Sequence, residues 1–283
     1  MCNRRVLVTG ANGYIGTHVV KELLARGCEV VACDFEFNNL PENVNKLSAD
    51  IFNPDFDIYN MSGKPDNLIH LAWRNGFQHN AQTHIADWPL HVNFLTRMIN
   101  SGIKNISVMG SMHEIGYWEG AIKADTPTKP MSFYGVAKNS LRQVMEIIVK
   151  NTEVNFQWLR GYYIYGDDRR SSSVLGKILE AEERGQEVFP FTSGKNLYDY
   201  ISVDDLAKQI VAASLQDKYT GIINCCSGKP VSLGEMAEKF IKMHNLKIKL
   251  QYGAFPDRTY DSPGVWGDAS IINKILCEEE NTN

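Results

Sequence analysis

The chain has 283 residues, 43% of them apolar and 22% charged, with a formal net charge of −4. That is room for one large α/β domain, or for a large domain with a small companion. The mild negative balance gives no basic field for nucleic acid, and no apolar run reaches the roughly 20 residues of a membrane-spanning helix. Met1 to Arg5 lead straight into a strand, which leaves no room for a leader and points to a cytoplasmic protein. Six cysteines (Cys2, Cys28, Cys33, Cys225, Cys226, Cys277) form no C-x-x-C pair and read as reduced thiols, with neither disulfide nor metal.

Arg5 to Thr9 is a short apolar, β-rich run, the pattern of a buried parallel strand. Gly10-Ala11-Asn12-Gly13-Tyr14-Ile15-Gly16 follows at once, then a helical pattern through Arg26 that stops at Gly27. Glu29 to Asp34 is a second strand. This is a βαβ unit whose first turn is rich in glycine. Such a turn lets backbone approach a ligand closely, and the helix N-terminus behind it offers N–H groups and a positive dipole end to a pyrophosphate. The G-x-x-G-x-x-G spacing departs from G-x-G-x-x-G, but strand before, helix after and an acid ending the next strand supply the context of a dinucleotide site. Asp34 at that strand end can accept bonds from adenosine ribose hydroxyls and would repel a 2′-phosphate. No lysine or arginine follows until Lys46. The reading therefore favours NAD(H), with NADP(H) possible if another loop brings a cation.

Further strands are expected at Leu47 to Ile51, Asn67 to Trp73, Asn105 to Ser111 and Asn155 to Arg160. A helix is expected from Trp88-Pro89 to Ser101, with the proline in its first turn. Alternation of strand and helix argues an α/β fold with a doubly wound parallel sheet. Ser111 falls at the C-terminal end of its strand, the edge where such sheets place ligands. Tyr134 and Lys138 open the next helix, which should run to about Lys150. Four residues apart, they share one helix face, where an ammonium would lower a phenol's pKa from about 10 and suit it to proton transfer. Beyond Gly166 come a polar loop, a helix from Val174 to Arg184, short strands at Val188 to Phe191 and Tyr198 to Ile201, and a helix capped by Asp204. A strand at Ile222 to Cys226, a helix capped by Ser232, a strand at Lys247 to Leu250 and a short helix from Ser270 to Leu276 complete the pattern. Glu278 to Glu280 read as a disordered tail.

Gly10, Gly13 and Gly16, with Ser111 and the Tyr134-x-x-x-Lys138 pair, resemble the extended short-chain dehydrogenase/reductase family of nucleotide-sugar epimerases, dehydratases and reductases. The resemblance spans nearly the whole chain. It implies a catalytic trio of Ser111, Tyr134 and Lys138. It implies a cofactor held by Gly10, Asn12, Gly13, Tyr14, Ile15, Gly16 and Asp34, by Asp50 and Ile51 at the adenine, by Leu71, Ala72 and Trp73, and by Tyr134 and Lys138 themselves. It also implies a division into a dinucleotide-binding part, 1–166 with 201–225, and a smaller C-terminal α/β substrate part, 167–200 with 226–283. Family members commonly pair through two long helices per subunit, so a homodimer is expected, with Val136, Ser140, Val144, Ile147 and Ile148 as the apolar face.

Departures from the family pattern narrow the chemistry. Dehydratases carry an Asp-Glu pair where this chain has Met112 and His113, and methionine is no general acid. The epimerase-reductase type needs a cysteine at His113 and a histidine near Asp168. The usual substrate-binding asparagine is Tyr163, and the usual diphosphate-binding arginine is Tyr198, so Arg169, Arg170, Lys195 or Arg258 would have to replace that charge. The Gly110 to Gly120 segment with His70 to Arg74 is most similar to small 4-keto-6-deoxy nucleotide-sugar reductases of the dTDP-fucose-forming type. Trp73, Met112, His113, Tyr163, Arg169, Lys195, Tyr198 and Arg258 are then the expected substrate contacts. A 4-epimerase and a reductase of a small non-nucleotide ketone stay open as alternatives.

Overall fold

The computed structural model describes residues 4–166, 169, 173–257 and 261–281. The chain first lays down β1 (Arg5–Thr9), α1 (Tyr14–Ala25), β2 (Glu29–Asp34), β3 (Asn45–Ser48), α2 (Ile58–Met61), β4 (Asn67–His70), α3 (Thr83–Ser101) and β5 (Asn105–Ser111). Then come β6 (Gly120–Ile122), α4 (Phe133–Val149), β7 (Asn155–Gly161), β8 (Tyr163–Tyr165), α5 (Val174–Glu183), β9 (Val188–Pro190), β10 (Leu197–Ser202) and α6 (Val203–Ser214). Last are β11 (Gly221–Cys225), β12 (Pro230–Ser232), α7 (Leu233–Met243), β13 (Lys249–Gln251), β14 (Gly264–Gly267) and α8 (Ser270–Glu280).

Seven strands pair in the order β11-β7-β5-β4-β1-β2-β3, every pair parallel. Val6 to Val8, Leu68, Ile69, Ile106, Trp158, Leu159 and Ile223 are buried because helices cover both faces of this sheet. α1, α6 and α8 share the core of one face, and α3 and α4 that of the other. The doubly wound parallel sheet expected from the alternation is the fold. Its strand order reverses between β1 and β4, which opens a crevice above the C-terminal strand ends.

A second sheet, β12-β10-β14-β6, stands over that crevice, with β8 paired to the far half of β10. α5 and α7 pack beneath it around Leu175, Ile178, Phe191, Met236 and Phe240, next to the two-stranded β13-β9 ribbon. Asp199 of β10 is fully buried and ties three segments together. Its carboxylate accepts the Ser227 N–H and hydroxyl at 2.8 and 2.6 Å, the Gly228 N–H at 2.9 Å and the Gly267 N–H at 3.1 Å.

Several local expectations are corrected. α3 begins at Thr83, so Pro89 lies in its second turn rather than at its start. The strand expected through Trp73 ends at His70, because its ladder partner β1 ends at Thr9. β3 ends at Ser48, and Asp50 lies just past it with its carboxylate on the Phe52 N–H at 3.0 Å. α6 is capped by Ser202, which accepts the Asp205 N–H at 3.1 Å, while Asp204 meets His18 at 2.6 Å. α8 continues through the glutamates read as a tail, and Glu278 takes Lys218 at 2.6 Å. It packs with α6 through Ile272 and Ile275. Cys28 is disulfide-bonded, which corrects the reading of all cysteines as reduced; Cys33, Cys225, Cys226 and Cys277 are free. Among the described residues, no helix is long and apolar enough to cross a membrane.

Candidate active site

A cleft of about 1890 Å³ runs along the C-terminal ends of β1, β2, β4 and β5 and under the second sheet. Its floor at one end is the glycine-rich turn. Gly10 has φ +68°, and a Cβ there would lie 2.6 Å from the Ala72 nitrogen, so only glycine lets β1 turn beside the chain leaving β4. A Cβ on Gly16 would collide with the Gly10 carbonyl, which keeps α1 tight against the turn. Gly13 caps α1 without a side chain, and the first turn holds no acid, so the positive end of the helix dipole opens on the cleft. Asp34 holds the Asn12 N–H at 2.9 Å and the Phe35 N–H at 2.8 Å. Gly10, Gly13 to Gly16, Asp34, Asp50, Ile51 and Leu71 to Trp73 all line the cleft. Asn12 does not: its side-chain oxygen accepts the Asn39 N–H at 2.9 Å and buttresses the turn from outside. The cradle suits a dinucleotide: the glycine-rich turn and the open end of α1 would hold a pyrophosphate, and Asp34 would accept ribose hydroxyls. No lysine or arginine lines the Asp34 end among the described residues.

Ser111, Tyr134 and Lys138, the expected catalytic trio, all line the cleft. Ser132 caps α4 by accepting the Gly135 N–H at 3.1 Å, and the Tyr134 N–H donates to the His79 carbonyl at 2.9 Å. This fixes the first turn, from which Tyr134 and Lys138 both reach the cleft. Ser111 lies beside the Tyr134 phenol and favours its charged form. Ser111 is itself set by Glu114: its N–H donates to Glu114 Oε1 at 2.7 Å while its Oγ accepts the His113 N–H at 3.3 Å. Glu114 is fully buried, accepts the Trp158 indole N–H at 2.8 Å, and has Arg142 and Arg160 each at 3.7 Å.

Titration of the trio differs from the expectation. Burial pushes the Tyr134 phenol up to about 12; the Ser111 hydroxyl works against this, and the Glu114 charge adds to it. Lys138 does not lower the phenol's pKa. Its Nζ donates to the Met109 carbonyl at 2.8 Å, lies 3.7 Å from the centre of the Trp73 ring and 5.9 Å from that of Tyr134. Burial pulls Lys138 itself down to about 7, with Glu114 opposing.

The expected substrate contacts divide. Trp73, Met112, His113, Tyr163 and Tyr198 line the cleft. Trp73 is locked, its indole N–H on His84 at 3.1 Å and its ring stacked on His91 with centroids 4.3 Å apart. Tyr163, Tyr198 and Tyr200 pack at tilted angles into an aromatic wall, the ring centres of Tyr198 and Tyr200 4.5 and 5.8 Å from that of Tyr163. Arg169 turns away to pair with Glu183 at 2.9 Å, and Lys195 is exposed outside the cleft. Arg258, Arg170 and Asp168 lie outside the described residues. Lys177, from the first turn of α5, lines the cleft on this side and was not anticipated, since one lysine in an amphipathic helix carries no signal. His79 was missed for a similar reason: only the fold brings its loop to Tyr134.

A parallel sheet with its crevice at the switch point, a glycine-rich pyrophosphate turn and a Ser-Tyr-Lys trio define a nicotinamide-dinucleotide oxidoreductase of the short-chain type. Residues 6–226 match the NAD dependent epimerase/dehydratase family. The chain is 48% identical over 269 residues to the dTDP-6-deoxy-L-talose 4-dehydrogenase (NAD(+)) of Aggregatibacter actinomycetemcomitans, covering 93% of this chain and 98% of that one. It is 24% identical to a putative UDP-glucose 4-epimerase of Methanocaldococcus jannaschii, over 91% and 86% of the two chains. In structure it is similar to a UDP-N-acetylglucosamine 4-epimerase of Methanobrevibacter ruminantium, with TM-score 0.84, 23% identity and 97% and 92% coverage. This protein belongs to the NAD dependent epimerase/dehydratase family, and its cofactor is NAD(H).

Proposed function

We propose that the enzyme interconverts the 4-keto and 4-hydroxy forms of a dTDP-linked 6-deoxyhexose. The observation that carries this reading is the 48% identity, over nearly the full length of both chains, to a dTDP-6-deoxy-L-talose 4-dehydrogenase. That relative also moves the expected product from the fucose to the talose configuration. The site agrees with a C–O redox step. Bound NAD(H) supplies or accepts the hydride at carbon 4. Tyr134, held as a neutral phenol, gives its proton to the developing alkoxide, and Ser111 hydrogen-bonds the same oxygen, so charge grows against donors already in place. Lys138 would hold the nicotinamide ribose and keep positive charge beside the phenol. Met112 and His113 offer no carboxylate where a dehydratase needs one, which argues against loss of water. Ser173 and Lys177 at the head of α5, with Tyr163 and Tyr198, would take the nucleotide diphosphate and base.

The test is a screen of 4-keto-6-deoxy nucleotide sugars with NADH and NADPH, following absorbance and product. Stoichiometric NADH consumption with a dTDP-linked substrate is expected. Interconversion of two sugars with no net NADH turnover would make the enzyme a 4-epimerase, the activity in the name of the more distant Methanocaldococcus relative.

A further inference from the structure

Five histidines share one aromatic cluster with Trp73 and the catalytic tyrosine; two of them have both ring nitrogens engaged by the protein, and His91 is engaged through Nδ1. His70 places Nδ1 on the Thr9 hydroxyl at 2.7 Å and Nε2 on His91 Nδ1 at 2.9 Å. His84 takes the Trp73 indole N–H on Nδ1 and places Nε2 on the Gln78 carbonyl at 3.0 Å. The other two differ. His79 and His113 line the cleft, and among the described residues neither imidazole makes a hydrogen bond to protein. Their ring centres are 4.2 Å apart. His79 lies parallel to the Tyr134 ring, with centroids 5.3 Å apart and planes at 11°, and His113 is 6.1 Å from the same ring.

We propose that His79 and His113 act as a paired clamp for two adjacent hydroxyl groups on the sugar ring, next to the carbon that is oxidised or reduced. The inference rests on the sugar-nucleotide reading above and deepens it: it names the recognition feature as a vicinal diol and adds a residue from a second element. The two rings come from independently anchored places. His113 sits in the tight turn after β5 that Glu114 and Ser111 pin through the capping bonds described above. His79 belongs to the loop from β4 to α3, whose His79 carbonyl and Asn80 side chain accept the N–H groups of Tyr134 and Phe133 at 2.9 and 3.3 Å. The clamp is therefore built on the same helix end as the phenol, and its distance to the reacting carbonyl is fixed by backbone bonds.

Protonation suits the role. Burial, then the neighbouring imidazole, holds His113 down to about 4; burial, then His84, holds His79 below its ordinary value. The cleft-facing nitrogen of each neutral ring can accept from a hydroxyl or donate to one, depending on the tautomer, and a hydroxyl can do either in return. Two facing imidazolium rings would repel.

The experiment uses the enzyme with NADH and a dTDP-4-keto-6-deoxyhexose, alongside analogues lacking one ring hydroxyl. His79→Ala and His113→Ala are expected to raise KM about tenfold or more with kcat within about threefold, the pattern of lost uniform binding. The loss should shrink for the analogue that lacks the clamped hydroxyl, and His79→Asn, which keeps a donor and an acceptor, should recover part of it. Equal losses on all analogues, or an unchanged KM in His79→Ala, would overturn the clamp. So would solvent deuterium entering the product at carbon 3 or carbon 5 in the parent but not in His79→Ala, since that makes the pair an acid-base device. If the parent reduces no 4-keto sugar, the reading of the reaction fails; the clamp is then decided by calorimetry. A preference for a dTDP-6-deoxyhexose over dTDP that His79→Ala abolishes supports it, and a preference that His79→Ala retains overturns it.

Discussion

Tyr134 and Lys138 titrate in opposite directions for one reason: enclosure disfavours the charged form of each, the phenolate and the ammonium. A phenol that stays protonated to about 12 is a donor over the whole working range, which suits reduction. Tyr134→Phe should lower kcat by about 10²–10⁴-fold and leave the NADH dissociation constant near that of the parent. Fluorescence titration of NADH alongside steady-state assays checks both halves. For Lys138 the sign is set by its downward shift. The ammonium is present in the folded enzyme below about 7 and is lost as pH rises through that value, whereas an exposed lysine would keep it to about 10.4. kcat/KM for reduction should therefore fall as pH rises through about 7, and a flat profile from about pH 6 to 9 would remove Lys138 from the electrostatics of the step. The spacing of Tyr134, Lys138 and Ser111 was legible in the sequence. Their titration was not, because it depends on Met109, Trp73 and Glu114, which reach the site from other elements.

At the scale of elements, α4 leaves apolar side chains of one face uncovered. Val136 is 41% exposed and Ile147 73%, about three helical turns apart on the same side. Single exposed apolar residues are ordinary, but two on one face of a long helix suit a self-complementary interface. We propose a homodimer closed by this helix and its copy. Light scattering should give twice the chain mass at micromolar concentration, and Val136→Glu with Ile147→Glu should give the monomer with unchanged helical circular dichroism. α4 was read from sequence to within a residue or so at each end, since Ser132 signals its start and its periodicity is strong. α3 was read too short, because a proline inside a helix resembles a proline that starts one. β6, β12 and β14 have three or four residues each, too few for alternation to show. They form only because other strands stand ready beside them.

Across the whole molecule, the two sheets are stitched by buried polar contacts as well as by apolar packing. Asp199 is the clearest stitch, with four donors on one enclosed carboxylate. Asp199→Ala leaves three N–H groups, one of them fully buried, without their acceptor and should cost about 3 kcal/mol, read from urea denaturation, with Asp199→Asn intermediate. The parallel sheet and the cofactor cradle were legible early because each strand and its turn are contiguous in sequence. The substrate half was legible only in outline, because β10 divides its length between partners on either side and β6, made long before β14, waits to pair with it.

That order of pairing has a consequence while the chain is being made. β7 leaves the ribosome with one edge bonded to β5 and the other open, and its partner β11 follows only after the whole of α5 to α6. The helix α6, which helps cover one face of the sheet, arrives in the same stretch, and α8 later still. At synthesis rates of about 5–20 residues per second, a bare strand edge and an uncovered apolar face persist for several seconds. The nascent chain is therefore most prone to aggregation in the interval between residues 161 and 221, when its cofactor cradle is already complete.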